Sequence, residues 1–458
     1  MENNFNIILE KQSAFFASNQ SKNTQFRIEQ LKKLIRVLKA NEQLLNEAVY
    51  KDFKKSAFET YETELAIIYS EIKIAIRKLS HWAKMKSVGS GLSNFPGKSY
   101  IISEPYGNVL VIGAWNYPYH LSILPAVSAL AAGNTVIIKP SELSLNASQA
   151  MAKIINENFD EGILHVIEGG VEETTTLLKH SFDFIFYTGG EVVGKIIMKA
   201  ASKNLTPLAL ELGGKSPTII EKDANIKMAA KRIVWGKFLN GGQTCVAPDY
   251  LLVDQSIKEK LIDEIRNQIK LIHGENPLFS EAFVRIINPR HFQRLISLLD
   301  KEKIVIGGNT CENELYIEPT VLDNVSFDDK VMQEEIFGPI LPIITYENLD
   351  WAIAQIKSRP KPLALYLFSN TAKVQQKVLQ EVSFGGGTIN DVIMHLANDK
   401  LPFGGVGSSG MGNYHGKYGF TTFSHQKAII KKTNWFEPWF KYPPYTKGKL
   451  ELIRKILG

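Results

Sequence analysis

One stretch of the sequence limits the possible folds more than any other. Between Glu104 and Lys139 lie 34 residues without a single Asp, Glu, Lys or Arg, more than the ~20 apolar residues that span a bilayer. Polar residues, prolines and glycines interrupt the stretch, so we interpret it as a buried strand at 109–112, a small-residue helix at 122–132 and a second buried strand at 135–138. Strands this apolar are typical of a parallel sheet covered by helices on both faces.

The same alternation continues along the chain. Residues 1–85 follow helical periodicity, and further strand-like segments occur at 164–167 and 184–187, with helical patterns between the strands. A second α/β stretch runs over 210–396. The sequence therefore predicts an α/β fold built from right-handed βαβ units.

Composition excludes several other classes of protein. Two cysteines, Cys245 and Cys311, are too few for a disulfide framework or a Cys-rich zinc module, and the nine histidines show no metal-ligand spacing; we therefore predict no metal site. The net charge of +6 comes mostly from the C-terminal tail, where 431–458 carries seven basic and two acidic residues. The body is nearly neutral, which gives no support to nucleic-acid binding. The N-terminus lacks a signal peptide, so we expect a cytoplasmic protein.

Two glycine-rich segments resemble nucleotide-binding motifs. Residues 189–195, GGEVVGK, follow a predicted strand and open a helix, where free backbone N–H groups favour a phosphate. Ile196 replaces the hydroxyl residue of an ATP-binding loop, so a dinucleotide turn or a simple tight turn fits better. Residues 405–410 match GxGxxG but do not join a strand to a helix, and we interpret them as a loop.

Three residues together suggest covalent catalysis. Cys245 lies in an irregular polar segment, NGGQTCVAPD, and Glu211 lies beside another glycine pair in LELGGKSP. A thiolate that forms a thioester needs a carboxylate to activate water afterwards. Asn116, directly after a buried strand, offers an amide N–H to a developing oxyanion. Each residue is a weak indicator alone, and the three are informative in combination.

Six segments in order carry a family resemblance: GAWNYP (113–118), IKPSELS (138–144), LELGGKSP (210–217), GQTCVAPDY (242–250), QEEIFGPILP (333–342) and the stretch from LPFGGVG to TFSH (401–425). Over nearly its whole length the chain resembles the NAD(P)-dependent aldehyde dehydrogenases, most closely their class 3 branch. The resemblance implies a Rossmann-like parallel-sheet cofactor domain, an α/β catalytic domain and a small bridging β-sheet. It also implies oxidation of medium- or long-chain aliphatic, or aromatic, aldehydes to carboxylic acids.

The resemblance implies roles for individual residues. The catalytic residues are Cys245 as nucleophile, Glu211 as general base and Asn116 as oxyanion donor. The residues implied at the cofactor are Trp115, Lys139, Glu142, Gly189, Gly190, Gly194, Glu335 and Phe337, and those implied at the substrate tunnel are Tyr117 and Phe403. The expected cofactor is NAD, with NADP as the alternative, because Glu142 would repel a 2′-phosphate that Lys139 would attract. The family usually has serine where this chain has Gly190, which predicts weaker cofactor binding.

The resemblance also implies a domain organisation. We expect a cofactor domain at 1–86 and 104–209, a catalytic domain at 210–400, a bridging segment at 87–103 and 401–431, and a tail at 432–458. Class 3 enzymes are usually homodimers joined through the bridging sheet. The tail combines aromatic and basic residues with a predicted amphipathic helix at 449–458. It fits either a helix docked on the protein or its dimer partner, or peripheral contact with a membrane surface.

Two other functions remain open at this point. An acylating enzyme of the same fold resolves the thioester with coenzyme A and does not need a carboxylate base, so Glu211 argues against it. A structural or binding protein on the same fold would need none of the catalytic residues, and the complete set argues against that alternative.

Overall fold

The computed structural model describes residues 2–457. Its α-helices, in chain order, are α1 Glu2–Ala17, α2 Thr24–Ala40, α3 Glu42–Phe53, α4 Ala57–Thr60, α5 Ala66–Trp82, α6 His120–Ala132, α7 Leu145–Asn156, α8 Val171–Leu177, α9 Glu191–Ser202, α10 Ile226–Phe238, α11 Lys258–His273, α12 Pro289–Ile296, α13 Leu349–Lys357, α14 Ala372–Glu381, α15 Gly416–Thr422 and α16 Lys447–Leu457.

The strands, in chain order, are β1 Lys86–Val88, β2 Lys98–Pro105, β3 Asn108–Ile112, β4 Thr135–Lys139, β5 Leu164–Val166, β6 Phe184–Gly189, β7 Leu208–Leu212, β8 Pro217–Ile220, β9 Tyr250–Asp254, β10 Ile304–Ile306, β11 Thr310–Cys311, β12 Tyr316–Ile317, β13 Thr320–Leu322, β14 Ile340–Tyr346, β15 Ala364–Phe368, β16 Gly386–Ile389, β17 Gly410–Met411 and β18 Ser424–Lys431. They form a six-stranded, a seven-stranded and a three-stranded sheet and the short β11–β12 pair.

The six-stranded sheet has the order β17-β7-β6-β3-β4-β5. All of its strands run parallel except β17, which pairs antiparallel with β7. The predicted strands at 109–112, 135–138, 164–167 and 184–187 are confirmed to within two residues at their ends. The change of direction in strand order between β3 and β6 leaves a crevice beyond the carboxyl ends of these strands, where ligands bind in such sheets.

The uncharged stretch forms the centre of this sheet and one fully buried helix. Strands β3 and β4 are buried throughout, and α6 between them is buried at all of its positions. The helix begins at His120, two residues before the predicted start. Among the described residues, every helix is too short or too polar to act as a membrane span.

The seven-stranded sheet has the order β10-β13-β14-β9-β8-β15-β16 and is parallel except for β10. It is built from residues 217–389, within the predicted second α/β stretch. Strands β9 and β14 are neighbours, so the segments that precede them, 243–249 and 333–339, lie side by side. This arrangement matters because both segments carry predicted site residues.

The three-stranded sheet, in the order β1-β2-β18, is antiparallel. It joins residues near 87–103 to 424–431, as expected for a bridging sheet. The GxGxxG match at 405–410 is a loop closed by a bridge between Gly407 and Gly410, which confirms that it is not a dinucleotide motif.

The C-terminal tail contains the predicted helix as α16. Aromatic side chains before it are largely exposed, with Trp435 75%, Trp439 66% and Tyr445 79% accessible. On the body, α16 packs near the short turn Leu92–Asn94. The docked and membrane-surface interpretations of this tail both stay predictions.

Candidate active site

The predicted site residues converge on one cavity of about 1350 Å³. Four strands of the six-stranded sheet, β3, β4, β6 and β7, reach the cavity with their carboxyl-terminal ends. The segments before β9 and β14 reach the cavity from the seven-stranded sheet. All the residues assigned from the sequence to catalysis, cofactor and tunnel line this cavity, except Gly194. Gly194 packs α9 against β7, since a Cβ there would lie 2.8 Å from Leu212. A cofactor contact at Gly194 stays a prediction.

A tight left-handed turn presents Cys245 to the cavity. Asn240, Gly241 and Gly242 all have positive φ, at 53°, 61° and 74°. At Gly242 a Cβ would lie 2.3 Å from the carbonyl oxygen of Gly338, so only glycine fits. The turn therefore explains the Asn-Gly-Gly sequence: it brings the chain from α10 sharply round to the thiol.

Burial dominates the electrostatics of the thiol. It raises the pKa of Cys245 to about 12, and the nearby carboxyls of Glu335 and Glu211 contribute in the same direction. Backbone N–H groups of Cys245 and Val246 oppose the shift. In the resting protein the thiol is therefore protonated at neutral pH.

The raised pKa of Cys245 leads to a prediction for the protein without substrate. Between pH 7 and pH 9, alkylation of Cys245 by iodoacetamide should accelerate by about tenfold per pH unit, because only the thiolate reacts and its fraction grows tenfold per unit below the pKa. The rate of alkylation is measured by mass spectrometry of the peptide that contains Cys245. The variant Cys245→Ala reports the alkylation of Cys311 alone. A rate that levels off below pH 8 would mean that the thiolate is already formed.

Glu211 lies near the carboxyl end of β7 with its side chain buried. Neither carboxyl oxygen has a hydrogen-bond partner among the described residues. Burial raises the pKa of Glu211 well above its usual value, because an unpaired carboxylate is costly in an apolar environment. The raised pKa makes the ionised form of Glu211 a stronger base, and no hydrogen bond has to break before that carboxylate takes a proton from water that enters beside it.

Asn116 is fixed in the loop between β3 and α6. Its amide Nδ2 donates to the carbonyl oxygen of Gln243 at 3.0 Å, two residues before the thiol. An amide nitrogen carries two hydrogens, so one remains for a further acceptor. The neighbouring Tyr117 hydroxyl lies 2.6 Å from the Thr244 hydroxyl. These two bonds hold 116–117 directly against the segment that carries Cys245.

The Gly189–Gly190 turn presents an uncapped helix N-terminus to the cavity. No side chain caps the first turn of α9, whose N-cap residue is Gly190. Its N–H groups and the positive end of the helix dipole favour a phosphate. Exposed Val171 and Val192, 75% and 74% accessible, also line the cavity and offer an apolar surface for a planar ring.

Lys139 and Glu142 lie beside that turn at the end of β4. The buried Lys139 Nζ donates to the Pro140 carbonyl at 2.6 Å and lies 3.9 Å from the Glu142 carboxyl. Burial lowers the pKa of Lys139. A cationic donor next to a half-exposed carboxylate can hold the hydroxyls of a ribose. The groups along this side of the cavity therefore fit a dinucleotide.

Glu335 is set in the segment before β14. Its carboxyl packs on Gly213, where a Cβ would lie 2.0 Å from Oε2. Burial, followed by the charge of Asp249, raises the pKa of Glu335 to about 8. Asp249 accepts from the Ile336 backbone N–H at 2.9 Å and from Lys215 Nζ at 2.5 Å, and so ties the Cys245 loop to the Glu335 segment.

Aromatic rings close both ends of the cavity. Phe337 meets Trp115 edge to face at 5.5 Å between ring centroids, beside the Glu335 segment. On the opposite side, Phe403 stacks between His395 and His415 at 5.9 Å and 5.3 Å. Burial lowers the pKa of both histidines to about 4, so these rings are neutral and the wall is suited to an apolar chain.

Sequence reasoning missed the residues that hold this site from behind. Lys55, Glu59 and Glu64 are buried against the Asn116 loop, and Asn240 bonds to it. Lysines and glutamates in a helical region ordinarily face solvent, so their pattern carries no signal. The Asn-Gly-Gly turn was the one indication available, since it lies next to Cys245.

Comparisons with known proteins agree on one family. The family model described as "Aldehyde dehydrogenase family" matches residues 3–429. The chain is 53% identical over 454 residues to the 4,4'-diaponeurosporen-aldehyde dehydrogenase of Staphylococcus aureus, covering 98% of this chain and 99% of the relative. It is 47% identical to the mouse (Mus musculus) protein named aldehyde dehydrogenase, dimeric NADP-preferring, covering 96% and 98%.

A solved structure gives the same result in three dimensions. The substrate-bound state of Staphylococcus aureus AldH superposes with a TM-score of 0.97 at 52% identity, covering 99% of both chains. The α/β fold with two parallel-sheet bodies and a small antiparallel sheet is thereby confirmed.

Proposed function

The chain belongs to the aldehyde dehydrogenase family, and on that premise we propose that it oxidises medium- or long-chain aliphatic, or aromatic, aldehydes to acids through a covalent intermediate on Cys245. The observation that carries the proposal is the convergence of a half-buried thiol, an unpartnered carboxyl and a fixed amide on one cavity. Membership of this enzyme family also sets aside the non-catalytic alternative.

In the first step the Cys245 sulfur attacks the aldehyde carbon and forms a thiohemiacetal. The thiol proton has to leave before or during the attack, and Glu211 is a carboxyl close enough to influence the thiol pKa. The oxyanion that develops is stabilised by the free Nδ2 hydrogen of Asn116 and by the backbone N–H of Cys245. Donors of this kind contribute most in a site of low dielectric constant.

The second half of the reaction regenerates the thiol. NAD(P)⁺, which the cavity wall at Lys139, Gly190 and Glu335 would hold, would supply the hydride acceptor, and the loss of hydride from the thiohemiacetal would leave a thioester on Cys245. Glu211 then takes a proton from the attacking water, the C–S bond breaks, and the carboxylic acid leaves. The raised pKa of Glu211 makes its carboxylate a stronger base for this step.

Residues already on the cavity wall are suited to hold the cofactor. Lys139 and Glu142 would bind the adenine ribose, Gly189 and Gly190 the pyrophosphate, and Glu335 the nicotinamide ribose. We propose NAD as the preferred cofactor because the Glu142 carboxylate would repel a 2′-phosphate. The NADP-preferring relative keeps NADP as the alternative.

Gly190 gives a direct test of the pyrophosphate turn. A side chain fits at this position, because φ is −75° and no atom lies within 4 Å of an added Cβ. Gly190→Ser should lower the dissociation constant for NAD by about fivefold, through one new phosphate hydrogen bond of about 1 kcal/mol. The affinity is measured by calorimetry. Gly190→Ala is the matched control, since it adds the Cβ without the hydroxyl and should bind like the original protein; equal affinity of all three would place the phosphates elsewhere.

The aldehyde class follows from the shape and lining of the cavity. The neutral aromatic wall at Phe403 and the buried Tyr117 favour an extended apolar chain over a small polar aldehyde. A relative named for diaponeurosporen-aldehyde supports a long substrate.

The test of the aldehyde class is NADH formation without coenzyme A from acetaldehyde through decanal, and from benzaldehyde. We expect kcat/KM to rise with chain length, whereas turnover only after coenzyme A is added would favour the acylating alternative.

The remaining proposals concern organisation. We propose that the six-stranded sheet belongs to the cofactor domain expected at 1–86 and 104–209, and the seven-stranded sheet to the catalytic domain at 210–400. Two strands of the six-stranded sheet, β7 (Leu208–Leu212) and β17 (Gly410–Met411), extend past the expected bounds of the cofactor domain. We also propose a homodimer joined through the three-stranded sheet, because β18 forms an edge of that sheet and a relative is named dimeric. Sedimentation of the purified protein would distinguish a dimer from a monomer.

A further inference from the structure

A buried ion pair lies behind the cavity wall, outside the set of residues used so far. Lys55 Nζ and Glu64 Oε1 are 3.0 Å apart, and both side chains are fully buried. Glu64 lies on a single turn of π-helix, Tyr61–Leu65, between α4 and α5. Such turns are rare and occur often at functional sites. A buried pair is a weak source of stability, because apolar replacements of similar volume are often as stable. The role of the Lys55–Glu64 pair is therefore inferred from the groups that it contacts.

Glu64 fixes the start of α6. Its second carboxyl oxygen, Oε2, accepts from the backbone N–H groups of Tyr119 at 2.8 Å and His120 at 3.2 Å. These donors belong to the first turn of a helix that has no capping side chain of its own. A carboxylate there satisfies free N–H groups and the helix dipole. The end of the loop that begins at Asn116 is thus anchored to Glu64.

Lys55 fixes the start of the same loop. Its Nζ donates to the carbonyl oxygen of Asn116 at 3.4 Å and lies 4.3 Å from the centre of the Tyr117 ring. The Asn116 carbonyl also accepts from Asn240 Nδ2 at 2.8 Å, and the Asn240 backbone N–H donates to Glu59 at 2.8 Å. The backbone of the oxyanion donor is therefore held from two sides, and one of them is the ion pair.

We propose that Lys55 and Glu64 are positioning residues for Asn116: together they clamp both ends of 116–120, so that the Asn116 amide stays directed at the oxyanion that forms on the carbon attacked by Cys245. The proposal rests on the proposed function, because it assigns the pair to the oxyanion that forms in that reaction. Neither residue touches substrate, and each acts through the backbone of the loop. A misplacement of about 1 Å in such a donor can cost about a hundredfold in rate.

The test compares Lys55→Met and Asn116→Ala, alone and together, by the rate of the first NADH burst in stopped flow. Lys55→Met should slow the burst by about tenfold to a hundredfold while the dissociation constant for NAD stays unchanged. In the Asn116→Ala background, Lys55→Met should cause no further loss. Lys258→Met is the matched control. Lys258 Nζ lies 2.8 Å from the Asp323 carboxyl, and neither residue lines the cavity, so this change should leave the burst unchanged.

A second variant keeps the result interpretable if Lys55→Met folds poorly. Lys55→Met with Glu64→Gln removes both charges but keeps an acceptor for the Tyr119 and His120 N–H groups, so thermal stability should recover while the burst stays slow. The proposal is overturned if the burst recovers together with stability, or if Lys55→Met is as harmful without the Asn116 amide as with it. Failure of the proposed function looks different: the unmodified protein would then form no NADH from any aldehyde.

Discussion

Cys245→Ala is expected to reduce NADH formation from decanal and NAD by roughly 10⁴-fold or more. Without the sulfur no thiohemiacetal forms, and a hydride could leave only from the aldehyde hydrate, which is not bound covalently in the cavity. The fold should tolerate the change, because alanine is smaller than cysteine and the Asn240–Gly242 turn does not depend on the thiol. Initial rates and the dissociation constant for NAD are measured on the same preparation.

The other cysteine supplies the control for this prediction. Cys311 lies in the short β11–β12 pair and does not line the cavity. Cys311→Ala should therefore keep the activity of the original protein. Substantial turnover by Cys245→Ala would contradict a covalent mechanism and point to direct oxidation of the aldehyde hydrate.

Glu211→Gln is expected to separate the two halves of the reaction. Steady-state turnover should fall by about 10² to 10⁴-fold, the usual contribution of a general base, while one equivalent of NADH per active site still forms as a burst. Glutamine matches the size of glutamate but cannot take a proton from water, so the thioester accumulates. The same change should lower the initial burst much less, provided that the thiol can lose its proton to solvent.

Chemical rescue checks that prediction. Hydroxylamine attacks thioesters without a general base, so adding it should restore turnover in Glu211→Gln and release a hydroxamate. Loss of the burst together with turnover would place the essential role of Glu211 in activating Cys245. Unchanged turnover would remove Glu211 from the mechanism.

The sequence was most informative where a local rule decides the structure. The uncharged stretch predicted β3, α6 and β4 because only buried elements of a parallel sheet are that apolar. The loop at 405–410 was recognised because it failed the strand–helix context. Cys245, Glu211 and Asn116 were found because each stands beside glycine or at a strand end, and the structure brings all three to one cavity.

Residues that support the site from a distance had no such signal. Lys55 and Glu64 are nine residues apart in a helical region, where alternating charges normally indicate a solvated face. Only the tertiary structure shows that both are buried behind Asn116, because the contact joins residues separated by 61 positions. Gly194 shows a second limit of sequence patterns: the structure shows that this glycine packs α9 against β7, and its contact with the cofactor stays a prediction.

The covalent intermediate is the central claim, and mass spectrometry of the acid-quenched protein and its peptides tests it most directly. Glu211→Gln is mixed with decanal and NAD, quenched in acid and digested. The account predicts one decanoyl group per chain, located on the peptide that contains Cys245 and released by hydroxylamine. An unmodified Cys245 peptide recorded while NADH and decanoic acid still form would contradict it.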